Sequence, residues 1–145
     1  MRLLGFNFDK ISIERLADIS QDLKLETKID VLEISKAEAD FLNEKDTLLG
    51  IKFGYSINYE PKIASINLKG NLVLAVEPKL AKKVIEEWEA NRKVSEEVIT
   101  PLFNLILRKV NVRAIQLEDE FGLPLSIPLP RFSPKKEESD EKTRN

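Results

Sequence analysis

Apolar and polar residues alternate along two adjoining segments of the chain, residues 49–59 and 64–76. Side chains on a β-strand point to opposite faces in turn, so this period of two predicts two strands, each with one dry and one wet face. The interval between them contains Pro61, and proline favours turns and fits central strands poorly. We therefore predict a long antiparallel hairpin with a broad apolar side. That side consists of Leu49, Ile51, Phe53, Tyr55, Ile57, Tyr59, Ala64, Ile66, Leu68, Leu72, Leu74 and Val76, interrupted by Gly70.

Two further strands are predicted upstream of the hairpin, and each contains a change of phase. In the first, residues 3–13, the apolar positions shift from even to odd numbers near residues 9–10, which indicates a bulge or a bend. In the second, residues 23–34, the apolar positions shift from odd to even numbers at Leu32, which indicates another bulge. The first half of the chain is therefore predicted to be a sheet of about four antiparallel strands.

Two helices are predicted in the second half of the chain. Pro78 suits a first helical position, and apolar residues then recur at helical spacing over residues 78–90. For the longer second helix, we take Thr100 as the N-cap and Pro101 as the first helical residue. A start at Ser95 would place Pro101 inside the helix and kink it, so we prefer the later start.

The second helix carries an unusually wide apolar stripe and ends before Gly122, a residue type favoured just past a helix end. Such a width indicates contacts on two sides, one of them with the sheet and the other with a second subunit. We assign the following residues of the stripe to the sheet–helix core or to a subunit interface: Leu102, Phe103, Ile106 and Val110.

The chain after the second helix falls into two parts. Residues 123–132 contain three prolines and alternate apolar residues, so they cannot be helical and should lie extended along a groove or a sheet edge. From Ser133 to Asn145 no hydrophobic residue occurs, and such a segment cannot bury enough apolar surface to offset its chain entropy. We predict one domain over residues 1–132 and a disordered polar tail over residues 133–145.

The composition removes several classes of function. The 145 residues include neither cysteine nor histidine, which excludes thiol chemistry, serine-hydrolase triads and ordinary zinc sites. A net charge of −2 differs from the basic balance of most nucleic-acid-binding proteins. No stretch approaches the ~20 apolar residues of a membrane span, and the N-terminus lacks the apolar run of a signal peptide. We expect a cytoplasmic protein with no nucleic-acid partner, membrane insertion, metal or cofactor.

Three local features bear on site chemistry, and for each we favour a structural interpretation. Residues 118–120 form a carboxylate cluster near a helix end, where solvated charge is more common than a catalytic pair. Residues 124–131 have the composition of a polyproline ligand, but their interleaved leucines and isoleucine favour docking on the same chain. Trp88, the sole tryptophan, lies at helical spacing from Val84 and is assigned to the core.

Four strands followed by helices, with two short signatures, give the chain a family resemblance. The segment beginning Phe6-Asn-Phe-Asp-Lys-Ile-Ser-Ile looks like an opening strand. Thr100-Pro101, with the long helix after it, looks like a proline-opened helix. Residues 122–130 match an apolar, proline-spaced stretch that follows such a helix. In these features, which span residues 6–130, the chain resembles the SecB protein-export chaperone family.

The resemblance implies an α+β fold in which two C-terminal helices pack on one face of a four-stranded antiparallel sheet. It also implies a dimer or tetramer that holds unfolded polypeptide in apolar grooves, without nucleotide and without catalysis. Apolar burial suits this task because it contributes about 25 cal/mol per Å² whatever the client sequence. The family's acidity suits the SecA motor, and a net charge of −2 argues against that partner here. By analogy, the groove candidates are Trp88, Leu125, Ile127, Leu129 and Phe132, although for any one of them we favour the alternative of an ordinary core role.

Two other classes of function stay open at this point. A small-molecule carrier or enzyme would use a pocket between sheet and helix, with Tyr55, Tyr59 and Arg113 as its polar groups. An adaptor would bind a dedicated partner through the proline-rich residues 124–131. A chaperone should suppress the aggregation of an unrelated unfolded protein, a carrier should be stabilised by one metabolite, and an adaptor should lose its partner when residues 124–131 are altered.

Overall fold

The computed structural model describes residues 1–38 and 45–134, and the fold is α+β as predicted. The four strands form one antiparallel sheet in the order β1-β4-β3-β2, so β3 and β4 are central and β1 and β2 are edges. Residues 135–145 of the predicted polar tail lie outside the described residues. The elements are β1 Arg2–Arg15, β2 Lys24–Ala37, β3 Thr47–Glu60, β4 Ala64–Val76, α1 Pro78–Asn91 and α2 Glu96–Glu120.

The predicted hairpin is confirmed as the central strand pair of the sheet. Leu49 pairs with Leu74 and Ile57 with Ile66, so the apolar phases of β3 and β4 share one face. Gly70 interrupts the phase because it lies opposite Phe53. A Cβ atom there would approach the Asn7 carbonyl oxygen to 2.4 Å and the Phe53 ring to 2.8 Å. Glycine at this position therefore makes room for an aromatic ring in the core.

Both predicted bulges are present, one in each edge strand. The pairing of β1 with β4 shifts register between Phe8 and Lys10, and the pairing of β2 with β3 shifts between Val31 and Glu33. Each shift returns the next paired apolar residue, Ile11 in β1 and Ile34 in β2, to the inner face after the change of sequence phase. A further irregularity, between Leu3 and Gly5, has no counterpart in the predictions.

The first helix is confirmed, whereas the predicted start of the second is wrong. α2 begins at Glu96 with Ser95 as its N-cap, and Pro101 lies inside the helix. An internal proline costs about 3 kcal/mol because it removes one hydrogen bond and crowds the preceding turn. The earlier start offsets this cost by burying Val98 and by placing Glu97 beside Lys83 of α1, with Oε1 and Nζ 2.7 Å apart. The carboxylates of Glu96 and Glu97 in the first turn also interact favourably with the positive end of the helix dipole.

Both helices contribute to a core on one face of the sheet. α1 buries Ala81, Val84 and Trp88, and α2 buries residues from Val98 to Leu117 at intervals of three or four. Four residues were assigned to the core or to a subunit interface. Of these, Leu102, Ile106 and Val110 have no exposed surface in the single chain and so belong to its core. Phe103 is only half-buried and so retains surface that a neighbour could cover.

Candidate functional site

The end of α2 is held by an arginine from β1. Gly122 has a φ of 64°, in the left-handed region. Two backbone hydrogen bonds return to the last turn of the helix, one from Gly122 N–H to Asp119 O and one from Leu123 N–H to Glu118 O. This is the glycine-terminated helix end predicted from the sequence. The Arg15 guanidinium donates to the carbonyl oxygens of Phe121 and Gly122, at 2.8 and 3.1 Å. The positive charge of Arg15 also interacts favourably with the negative C-terminal end of the helix dipole.

Glu118, in the last turn of α2, is fully buried and binds two other parts of the chain. Tyr59 of β3 donates its hydroxyl proton to Glu118 Oε2. Ser126 donates its backbone N–H to Glu118 Oε1 at 3.1 Å, and its hydroxyl lies 3.3 Å from the same oxygen. The Tyr59 hydroxyl is also 2.7 Å from the carbonyl oxygen of Pro124. These contacts, which we call the Glu118 network, attach the chain after α2 to the sheet.

The prediction of solvated charge at residues 118–120 is wrong for Glu118 and correct for Asp119 and Glu120, which are exposed. Glu118 follows Ala114 by four residues and therefore lies on the apolar stripe of α2, a spacing that could have revealed it. Burial, and after it the hydrogen bond to Glu118, raises the pKa of Tyr59 far above its ordinary value. Burial and the Glu118 charge also raise the pKa of Tyr55.

Residues 123–132, which we call the strap, leave the Glu118 network as non-helical chain with most of their apolar side chains exposed. Leu123 is buried and Ile127 is half-buried, so one side of the strap contacts the domain. Leu125, Leu129 and Phe132 are 37%, 51% and 72% exposed. The strap is therefore attached at its start and presents apolar side chains to the surroundings.

The structure does not bring Trp88 together with the strap. Trp88 is 5% exposed, and the Arg92 guanidinium covers its ring at 5.4 Å from the centroid. Arg92 in turn contacts Glu33 of β2, whereas Tyr59 of the Glu118 network pairs with Leu25 of that strand. These two β2 positions are eight residues apart, a separation of about 26 Å along a strand.

The polar groups proposed for a small-molecule pocket have partners within the chain. The Tyr55 hydroxyl lies 3.4 Å from Asn111 Oδ1, and the Tyr59 hydroxyl belongs to the Glu118 network. Arg113 donates to Gln116 one turn further along α2, at 3.1 Å. The two tyrosines therefore join the sheet to α2, whereas the contact of Arg113 lies within α2.

A second apolar surface, which the sequence analysis missed, is a cleft between the start of β1 and the middle of α2. It has a volume of about 440 Å³ and is lined by Leu3, Leu105, Arg108, Lys109 and Val112. Leu105, Lys109 and Val112 follow one another at helical intervals of four and three, beside the core stripe. This spacing was visible in the sequence, but only the pairing of β1 with β4 puts Leu3 opposite it.

Within residues 1–38 and 45–134, no group of three or more acidic side chains is placed to hold a metal ion. In the same part of the chain, no helix is both long enough and apolar enough to cross a membrane.

Comparison with known proteins gives one line of similarity, in structure. No protein-family model matches the chain, and no curated protein matches it. Among solved structures, the chain is similar to the Mycobacterium tuberculosis Rv1957 SecB-like chaperone, in complex with a ChAD peptide from the Rv1956 HigA1 antitoxin. The two share 11% identity with a TM-score of 0.49, over 91% of this chain and 90% of that chain.

Proposed function

We propose that this chain binds unfolded polypeptide through exposed apolar side chains, as a SecB-like chaperone that uses neither nucleotide nor catalysis. The observation that carries the proposal is the strap, which is attached by the Glu118 network and yet exposes Leu125, Leu129 and Phe132. Apolar residues grouped on an ordered segment mark a partner surface more often than singly scattered ones do.

The proposed contact residues are Leu125, Ile127, Leu129 and Phe132, because each keeps exposed surface in the single chain. Trp88 is left out because its ring is buried. Aliphatic and aromatic side chains suit a sequence-tolerant site, since their contribution depends on buried area and not on a particular hydrogen-bond pattern. In the described sheet, β1 and β2 each have one edge without a paired strand, and these edges are a second source of sequence-independent binding through backbone hydrogen bonds.

The test is light scattering by an unrelated, heat-unfolded protein without ATP, together with anisotropy of a labelled apolar peptide. We expect the chain to suppress aggregation, and a Leu129→Ser/Phe132→Ser variant to bind the peptide about tenfold more weakly because it loses apolar contact area. The matched control is Leu32→Ser, a leucine 46% exposed whose side chain lies against Gly54 on the polar face of the sheet. Equal protection by the wild type, the strap variant and the Leu32→Ser control would contradict the role of the strap. If none of the three suppressed aggregation, the proposed chaperone function would be contradicted.

We further propose that the active form is a homo-oligomer, a dimer or a tetramer, and that its subunits cover part of the half-buried apolar surface around Phe103. Native mass at micromolar concentration tests this part. A monomer that still protects clients would overturn the assembly and leave the binding function in place. A cytoplasmic location stays a prediction from the sequence.

A further inference from the structure

We propose that the β1–α2 cleft binds polypeptide segments in which aliphatic side chains are followed or preceded by carboxylates. This inference rests on the proposed function and specifies the chemistry of one class of client. The lining of the cleft identifies the occupant, because it combines apolar side chains with two basic residues that have no acidic partner among residues 1–38 and 45–134.

The apolar part of the lining comes from two elements. Leu3 and Leu105 are half-buried, and Val112 is 62% exposed, so the cleft is open and its walls are aliphatic. A volume of about 440 Å³ accommodates a few aliphatic side chains and is smaller than a folded domain would need. Within the described sheet β1 pairs with β4 alone, so its other edge can offer backbone groups to an extended segment.

The charged part of the lining is entirely basic. Arg108 and Lys109 are exposed, and across residues 1–38 and 45–134 neither has an ion-pair partner. Between Glu97 and Glu118 the helix contains no acidic residue. Local charge of this kind acts over about 8 Å at physiological salt, so the chain's net charge of −2 does not cancel it within the cleft.

The chemistry of the lining favours a peptide over a nucleic acid. Single-stranded nucleic acids bind where basic residues accompany aromatic side chains on which bases stack. The residues that line the cleft are aliphatic or basic, and none is aromatic. A short acidic–aliphatic segment satisfies both parts of the lining, because its side chains cover the leucines and the valine while its carboxylates pair with Arg108 and Lys109.

The experiment compares three labelled peptides that share one aliphatic core and differ in their flanks, which are glutamate, serine or lysine. Anisotropy should show the glutamate peptide binding about fivefold more tightly than the serine peptide, as two exposed ion pairs allow, with the lysine peptide weakest. A double variant, Arg108→Glu/Lys109→Glu, should reverse this order without lowering the melting temperature. The preference for glutamate should also decline as salt is raised from 50 to 500 mM, values chosen to bracket physiological screening.

The matched control is Lys79→Glu/Lys82→Glu, which makes the same change of charge at two exposed positions of α1. It should leave the order of the three peptides unchanged. Equal binding of all three peptides, unaffected by the reversal at residues 108–109, would overturn the inference and leave the proposed function intact. Binding of none would overturn the proposed function. Binding of a labelled single-stranded RNA that is lost in the 108–109 variant, with no peptide preference, would overturn the inference in favour of nucleic acid.

Discussion

The central hairpin and the edge strands have similar apolar patterns but very different burial. Every inward apolar side chain of β3 and β4 is at most 6% exposed. In the edge strands, Ile11 and Leu25 are 39% and 37% exposed, and Phe6 and Ile29 are half-buried. Inward residues of a central strand have strand neighbours on both sides, whereas an edge residue lacks one of these neighbours. Within the sheet, the inward apolar surface that the single chain does not cover therefore lies on the edge strands, where partners can reach it.

α2 repeats the same contrast along one helix. Ile106 lies in its buried stripe with no exposed surface, and Val112, six residues later, is 62% exposed beside the β1–α2 cleft. The exposed residue belongs to the proposed binding surface and the buried one to the core. Substitutions at matched positions of these two regions should therefore affect either stability or binding, and rarely both.

The largest expected effect comes from a charge in the core. Ile106→Asp should unfold the protein or dissociate it, at a cost above about 4 kcal/mol, because the carboxylate would be buried without a partner. Val112→Asp should change stability by less than about 0.5 kcal/mol because its side chain meets solvent. Urea unfolding measures the stability of the two variants, and native mass measures whether they dissociate. An unchanged melting temperature and mass for Ile106→Asp would contradict the assignment of this stripe to the core.

The next effect concerns the Glu118 network. Glu118→Ala should lower the free energy of unfolding by about 2–3 kcal/mol, because the Ser126 N–H would lose its buried acceptor and the Tyr59 hydroxyl would keep only the Pro124 carbonyl oxygen. Glu118→Gln keeps an acceptor oxygen and should cost less. Glu120→Ala, an exposed carboxylate of the same turn, is the control and should stay within about 0.5 kcal/mol. If Glu118→Ala unfolds at the same urea concentration as the wild type, the network does not stabilise the fold.

A smaller effect is expected where β1 caps α2. Arg15→Met should cost about 1–2 kcal/mol, since it removes two charge-assisted hydrogen bonds to Phe121 and Gly122 and the cation at the helix end. Lys28→Met, at an exposed position of β2, provides the comparison. Urea unfolding should separate the two variants by at least about 1 kcal/mol. Equal midpoints would show that the helix end needs no cap from the sheet.

The smallest effect appears as a pH dependence. The pKa of Tyr59 is raised in the folded state, so its contribution to stability is complete below the unfolded value of 10.0 and is lost as pH rises beyond it. The slope for one proton is at most about 1.4 kcal/mol per pH unit. Tyr59→Phe should therefore show a shallower loss of stability between pH 9 and 11. Parallel curves for the two proteins would contradict this linkage.

Much of the fold was predictable because its signals are local. The phase changes at residues 9–10 and at Leu32 both become bulges, since a strand must insert one residue to keep its apolar side chains on one face. The start of α2 was less predictable than these bulges. Pro101 indicated a helix start by itself, but the burial of Val98 and the ion pair of Glu97 with Lys83 place that start five residues earlier.

The sequence alone determined the strands, the bulges near residues 9–10 and 32, the presence of both helices and the glycine that ends α2, because periods of two and 3.6 residues and φ preferences act over a few neighbouring residues. The tertiary structure decided which apolar residues are sealed and which stay exposed. It also buried Glu118 and set Leu3 opposite Leu105 across a basic cleft. These outcomes depend on which elements become neighbours: Arg15 and Phe121, for example, are 106 residues apart in the sequence and meet only in the tertiary structure.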